Sequence, residues 1–133
     1  MTKVSLLAAL AMLYAPVALA LKAPPLPSSA KPLSAEEVIG LYDGATIAFD
    51  NYEFEKSLTG TSHMDFKMKT IHGDYVYGDE AKKAFKGKIR MKGDNFCYKV
   101  NKNKEACVRV YLDGSDIYEV NAKKVVTSKN KKM

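Results

Sequence analysis

The stretch GKIRMKGDNFCYKVNKNKEACVRVYLDG, residues 87–114 of a 133-residue chain, decides the fold. Lys88-Ile89-Arg90-Met91-Lys92 alternates charged and apolar residues, the period of a strand with one buried face. Gly93-Asp94 is a two-residue turn. Phe96 to Val100 and Lys104 to Val108 are strand-like runs around Asn101-Lys102-Asn103, and folding them as a hairpin places opposite one another residues whose numbers sum to 204. Cys97 then meets Cys107, Lys99 meets Glu105 and Phe96 meets Val108, so one register aligns thiols, charges and apolar side chains. Asn103 is the residue expected to take the left-handed conformation in the loop. Across the Gly93-Asp94 turn, Met91 faces Phe96 and Ile89 faces Tyr98, giving an apolar face over three strands that continues through Val108, Val110 and Leu112. The cysteines fall on the opposite face with Lys99 and Arg109, which predicts a disulfide on the exposed side.

Working toward the C-terminus, Asp113-Gly114 is a further turn, followed by short strands at Asp116–Val120 and Lys124–Thr127. Residues 128–133 read as a basic, disordered tail. Toward the N-terminus, Tyr75-Val76-Tyr77 and Thr46-Ile47-Ala48-Phe49 read as strands, and Met64, Phe66 and Met68 alternate with Asp65, Lys67 and Lys69 as a half-buried strand. Ser34-Ala35-Glu36-Glu37 fits a capping box, with Leu33 and Val38 spaced as its hydrophobic staple. Val38, Leu41 and Tyr42 form the apolar stripe of a short helix that Gly44 can end. The fold class expected is therefore α+β, mainly β: a short N-terminal helix, then an antiparallel β-meander curled into a small barrel or bent sheet. One β-rich domain spans 34–127.

Residues 21–33 hold four prolines and Ser28-Ser29, the composition of an extended, mobile leader. Residues 1–20 read as a secretory signal: Lys3, an uncharged apolar run from Val4 to Val17, and Ala18-Leu19-Ala20 at the cut. That run is shorter than the roughly 20 apolar residues a spanning helix needs. A periplasmic or secreted protein is the expectation, and an oxidising compartment turns the lone pair Cys97 and Cys107 into a structural bridge.

Charge is unevenly spread over a chain of net charge +6. Between Ser34 and Glu80 there are ten acidic residues against three lysines; from Ala81 onward there are fifteen Lys or Arg against five acids. Such asymmetry points to an anionic partner, an envelope component above all, with Lys88, Arg90, Lys92, Lys99 and Arg109 as the anion-binding residues. Solvated strand faces account for the same charges. Interleaved tyrosines and lysines would also suit single-stranded nucleic acid or a carbohydrate, but an exported location argues against nucleic acid.

Leu41-Tyr42-x-Gly44, Gly87-Lys88-x-Arg90-x-x-Gly93-Asp94-x-x-Cys97-Tyr98, Cys107-x-x-Val110-Tyr111-x-x-Gly114 and Ile117-Tyr118 together resemble a family of small exported alphaproteobacterial proteins of unknown function. The resemblance covers roughly 36–120 and implies a periplasmic location and a disulfide-linked β fold; it brings no catalytic residues. Ile89 and Ala45 stand where members of that family often carry a tryptophan and a basic residue.

Enzyme chemistry finds no footing in the residues. Neither His63 nor His72 has a serine in a nucleophile context, and Glu36-Glu37 and Asp79-Glu80 read as solvated carboxylates. There is no phosphate loop and no cysteine cluster with metal-ligand spacing. Imidazoles and thioethers at His63, Met64, Met68 and His72 have the chemistry of a copper site, yet strand parity separates His63 from the methionines, which read as core filler. No metal and no cofactor is expected. The sequence thus predicts a non-enzymatic exported β domain that binds an anionic envelope component. Two alternatives are a protein-interaction module, whose partner is another exported protein, and a barrel that binds a small ligand.

Overall fold

In the computed structural model, residues 23–133 are described, and the expected export signal at 1–20 lies outside them. Strand β1 (Lys31–Pro32) leads into helix α1 (Ala35–Tyr42), then come β2 (Thr46–Asn51), β3 (Leu58–Asp65), β4 (Thr70–Tyr77), β5 (Lys83–Lys92), β6 (Asn95–Val100), β7 (Ala106–Asp113), β8 (Asp116–Val120) and β9 (Val126–Lys132). Each strand from β2 to β8 pairs antiparallel with its successor, and β9 returns to pair with β2, so eight strands close into a barrel without a free edge. The expectation of a mainly β chain curled into a small barrel is met. Chain direction then sorts the connections. Turns at 66–69, 93–94 and 114–115 lie at the end that carries α1, called the lower end below, and loops 52–57, 78–82, 101–105 and 121–125 lie at the upper end.

Helix α1 forms for the local reasons its sequence gives. The Glu37 amide donates to Ser34 Oγ at 3.3 Å and the Ser34 amide donates to Glu37 Oε1 at 2.9 Å, completing the capping box. The Ala35 amide donates to Asp94 Oδ1 at 2.9 Å and ties the helix start to the β5–β6 turn. Gly44, at φ +72°, ends the element in the left-handed region. Val38 and Tyr42 present a fully buried face that closes the lower end against Ile47, Phe96, Val108, Val110 and Ile117. Tyr42 meets the Phe96 ring edge-on at a centroid distance of 5.3 Å. Each such side chain contributes about 1.5–3 kcal/mol of burial, so the packed lower half carries most of the fold's hydrophobic stabilisation.

The cysteine hairpin has the expected register from Asn95↔Arg109 to Tyr98↔Ala106, with Cys97 bonded to Cys107 on the outer face. Its loop differs. Pairing stops at Tyr98↔Ala106, the loop runs from 101 to 105, and the left-handed residue is Asn101 (φ +53°), not Asn103. Glu105 therefore does not face Lys99; it takes the Arg90 guanidinium in a two-pronged contact, Nε to Oε2 at 2.8 Å and Nη2 to Oε1 at 2.7 Å. Only half the bridge is exposed, because Cys97 is covered and Cys107 meets solvent.

Three further expectations are corrected. Residues 128–133 are not a loose tail: β9 runs through Lys132 and seals the barrel against β2, and the Met133 amide donates to the Thr46 carbonyl at 2.9 Å. The segment before the helix is not loose either. β1 pairs Lys31 with Leu112 and Pro32 with Tyr111, and Leu26 packs on an outer cluster of Tyr118, Val120 and Val126. Met68 is not core filler but 65% exposed, because the alternating run crosses a turn. Asp65 Oδ1 accepts the Met68 amide and Asp43 Oδ1 accepts the Phe66 amide, satisfying the backbone there without a strand partner.

Glycines let neighbouring strands approach closely, Gly60 and Gly73 between β3 and β4 and Gly87 between β5 and β6. A side chain on Gly73 would run into the Thr61 carbonyl, and one on Gly60 into the Asp74 carbonyl and the Phe49 ring. Backbone atoms of β3 and β4 approach there more closely than a Cβ allows.

Candidate functional site

Above the packed half the barrel is hollow. A cavity of about 660 Å³ opens between the upper loops, within the size range of small-molecule sites. Its wall is aromatic. Phe49 and Phe85 meet edge-on at 6.1 Å, Tyr75 lies 6.2 Å from Phe85, and Phe96 and Tyr98 lie 5.7 Å apart on the other side. Met64, Ile71 and Val100 fill between them. At the mouth stand Glu53, Phe54, Tyr77, the Glu80–Lys83 ion pair (3.7 Å) and Lys104.

The floor is polar, and helix α1 contributes Tyr42 to it. Glu119 shares the inward face of β8 with Ile117, and the register sets Ile117 beside Asn130 and Glu119 beside Ser128 on β9. Tyr42, the last residue of α1, rises from below into this group. Its hydroxyl donates to Glu119 Oε2 at 2.7 Å and accepts from Asn130 Nδ2 at 3.0 Å. Asn130 Nδ2 also donates to Glu119 Oε2 at 3.0 Å, and Ser128 Oγ donates to Asn130 Oδ1 at 2.6 Å. Glu119, Ser62, Ser128 and Asn130 are each buried to 5% exposure or less, yet all four line the cavity.

Burial dominates the acid–base behaviour of this group. It pushes the Glu119 carboxyl above its ordinary range, with the Glu53 charge adding to the rise; hydrogen bonds from Tyr42 and Asn130 work against it. Burial, then the Glu119 charge, holds the Tyr42 hydroxyl well above the usual phenol range. Tyr98 is pushed up by burial and then by the charges of Glu119 and Glu53. Among the described residues no cation pairs with Glu119, so the floor holds a buried carboxyl without a counter-charge.

The five basic residues expected to bind an anion lie on the outer faces of β5, β6 and β7, away from the cavity. Arg90 is held by Glu105. Arg109 donates to the Leu33 carbonyl at 3.3 and 3.2 Å and sits 3.9 Å from Asp94. Lys88 and Lys99 oppose each other directly across β5 and β6, and Lys92 stands at the lower end of β5. His63 and His72 also face each other, stacked at 5.5 Å on the exterior, while Met64 points inward and Met68 sits in the turn. The four candidate copper ligands are thus dispersed. Cys97, Cys107 and Glu105 bring ligand atoms together, but the disulfide occupies both sulfurs.

Sequence reading missed the floor residues. A signal existed for Glu119: strand parity puts it on the face of Ile117, two residues before, so it is a carboxylate at a core position. For Ser128 and Asn130 there was none, since Ser-Lys-Asn-Lys-Lys lacks any apolar alternation.

Among the described residues, no helix is long and apolar enough to cross a membrane, and the disulfide fits an oxidising compartment outside the cytoplasm. No protein-family model, curated protein or solved structure matches this chain.

Proposed function

We propose that this chain is an exported binding protein, periplasmic or secreted, that holds a small and largely apolar molecule inside its barrel without transforming it. The observation that carries the reading is the 660 Å³ cavity with aromatic walls and an open mouth. A barrel meant only as a rigid scaffold gains by filling its interior, since unfilled apolar space forfeits contacts. Here the lower half is filled and plugged while the upper half is left open above a set of inward polar groups. Export is supported by the disulfide together with the sequence of residues 1–20.

Titration with a neutral apolar fluorophore such as Nile red tests the proposal. Saturable one-to-one binding to the full mature chain is expected. Val100→Trp, which places an indole in the cavity, should weaken it by about tenfold, equivalent to about 1.4 kcal/mol. Absence of saturable binding, or equal binding by the tryptophan variant, would remove the basis for a ligand site.

A second reading rests on Lys88 and Lys99. Like charges set directly opposite repel, and a shared anion would relieve them, as the envelope-binding expectation requires. Binding to anionic vesicles that does not weaken with salt would count against it.

A further inference from the structure

We infer that the molecule bound in the cavity is an amphiphile with a cationic amine head, seated head-down on Glu119; this rests on the ligand-binding reading above and narrows it to a chemical class. The geometry of one oxygen decides it. Glu119 Oε2 is fully engaged by Tyr42 and Asn130, while Oε1 has no partner among the described residues. Every side-chain nitrogen or oxygen that is sealed from solvent does have a partner. Oε1 is therefore the oxygen that meets the cavity, on a residue only 5% exposed.

The same oxygen fixes the ligand's orientation. An alkyl tail driven to the floor would strip water from Oε1 and from the Ser62 hydroxyl and replace it with nothing, an unfavourable exchange. A carboxylate head would meet Glu119 as a like charge in a site without a compensating cation. An ammonium donates to Oε1 and supplies the counter-charge the floor lacks. Its surroundings agree. Tyr98, whose hydroxyl feels the Glu119 charge, and Phe96 line the same cavity as aromatic neighbours for a cation, and the Glu53 carboxylate adds to the negative charge felt at the floor. The ligand's apolar body then lies along Phe49 and Phe85 toward the mouth.

A matched series, 4-phenylbutylamine, 4-phenylbutanol and 4-phenylbutanoate, separates the head-group claim from the cavity claim. Calorimetric titration of the full mature chain should rank amine over alcohol over carboxylate. The amine is expected to bind about tenfold tighter than the alcohol, the margin of a charge-assisted over a neutral hydrogen bond. In Glu119→Gln, which keeps an acceptor for Tyr42 and Asn130, that margin should vanish while the alcohol's affinity holds within about threefold. Retained alcohol binding also reports that the variant is folded. If the alcohol binds as well as the amine, or Glu119→Gln keeps the preference, the amine assignment is overturned and the cavity reading stands. Failure of all three compounds to bind overturns both.

Discussion

Replacing Tyr42 with Phe removes a single oxygen from the barrel floor, and the structure says what that oxygen does. It donates to Glu119 Oε2 at 2.7 Å and accepts from Asn130 at 3.0 Å, with no exposed surface on the residue. Neither partner is orphaned, because Asn130 still donates to Glu119 and still accepts from Ser128. The loss is thus two hydrogen bonds. The one to an ionised carboxylate is worth about 1.5–3 kcal/mol and the neutral one about 0.5–1.5 kcal/mol. With Glu119 ionised the variant should be less stable by about 2–4.5 kcal/mol; with Glu119 protonated both bonds are neutral and the loss falls to about 1–3 kcal/mol. Burial raises the folded-state carboxyl above its ordinary value of 4.5. Glu119 therefore favours the fold most below pH 4.5, and that contribution is lost as pH rises through the folded value. Removing a donor raises the folded value further, so the stability gap between wild type and variant must widen with pH. Denaturant unfolding of both proteins from pH 4 to pH 9 measures the gap directly, since other groups titrate alike in the two. In thermal scans it should appear as a Tm difference of about 4 °C per kcal/mol for a domain of this size. A gap below about 0.5 kcal/mol, within the range of an ordinary surface substitution, would refute the hydrogen-bonded floor. A gap that stays flat or narrows with rising pH would refute the placement of Glu119's charge in it.

The remaining expectations concern the frame. Cys97→Ala with Cys107→Ala should lower stability by about 3 kcal/mol, the loop-closure value for a ten-residue separation, and a reductant should bring the wild type to the same unfolding midpoint. Gly73→Ala should cost about 3 kcal/mol or more, because the new Cβ meets backbone at Thr61 rather than a side chain that can yield. Gly40→Ala, on an exposed helix position with open space around it, should instead stabilise by about 0.5–1 kcal/mol. Circular-dichroism melts of the two glycine variants, read together, check that close approach rather than glycine itself is what matters.

What was legible in the sequence follows the barrel's two halves. Ile89, Met91, Phe96 and Val108 point into the packed half, so β5, β6 and β7 alternate apolar and polar and were readable to the register. The first residues of β3, Leu58-Thr59-Gly60-Thr61-Ser62, carry no such pattern. Their inward positions are Leu58, Gly60 and Ser62: one lines the cavity at the mouth, one is where β3 and β4 approach closely, and one is a hydroxyl facing the hollow. The end of β9 is silent for the same reason, with Ser128 and Asn130 inward at the polar floor. Conversely, the alternation of Met64, Phe66 and Met68 was over-read. Two aspartate side chains bond the backbone amides of that segment and turn it at a place where hydrophobic period alone continues the strand. The leader's contact with the outer cluster was invisible because proline-rich composition reports backbone stiffness, not what the chain lies upon.

The hollow half also accounts for where the covalent and ionic restraints sit. A packed interior holds strands in place from inside, and below the floor that is sufficient. Above it the wall has a cavity at its back, so order at the mouth must come from the backbone ladder and from the outer face. The disulfide joins β6 and β7 on that outer face, and Ala106, beside Cys107, pairs with Tyr98 where the ladder ends beneath loop 101–105. Arg90 reaches from β5 across Cys97 to Glu105 in that same loop. Asn101, Asn103 and Lys104 of the loop line the cavity. The disulfide thus braces the β6–β7 ladder where the packed half, at Phe96 and Val108, gives way to the cavity wall at Tyr98 and Ala106. Placed here, the bridge holds β6 and β7 in register beneath the mouth of the cavity.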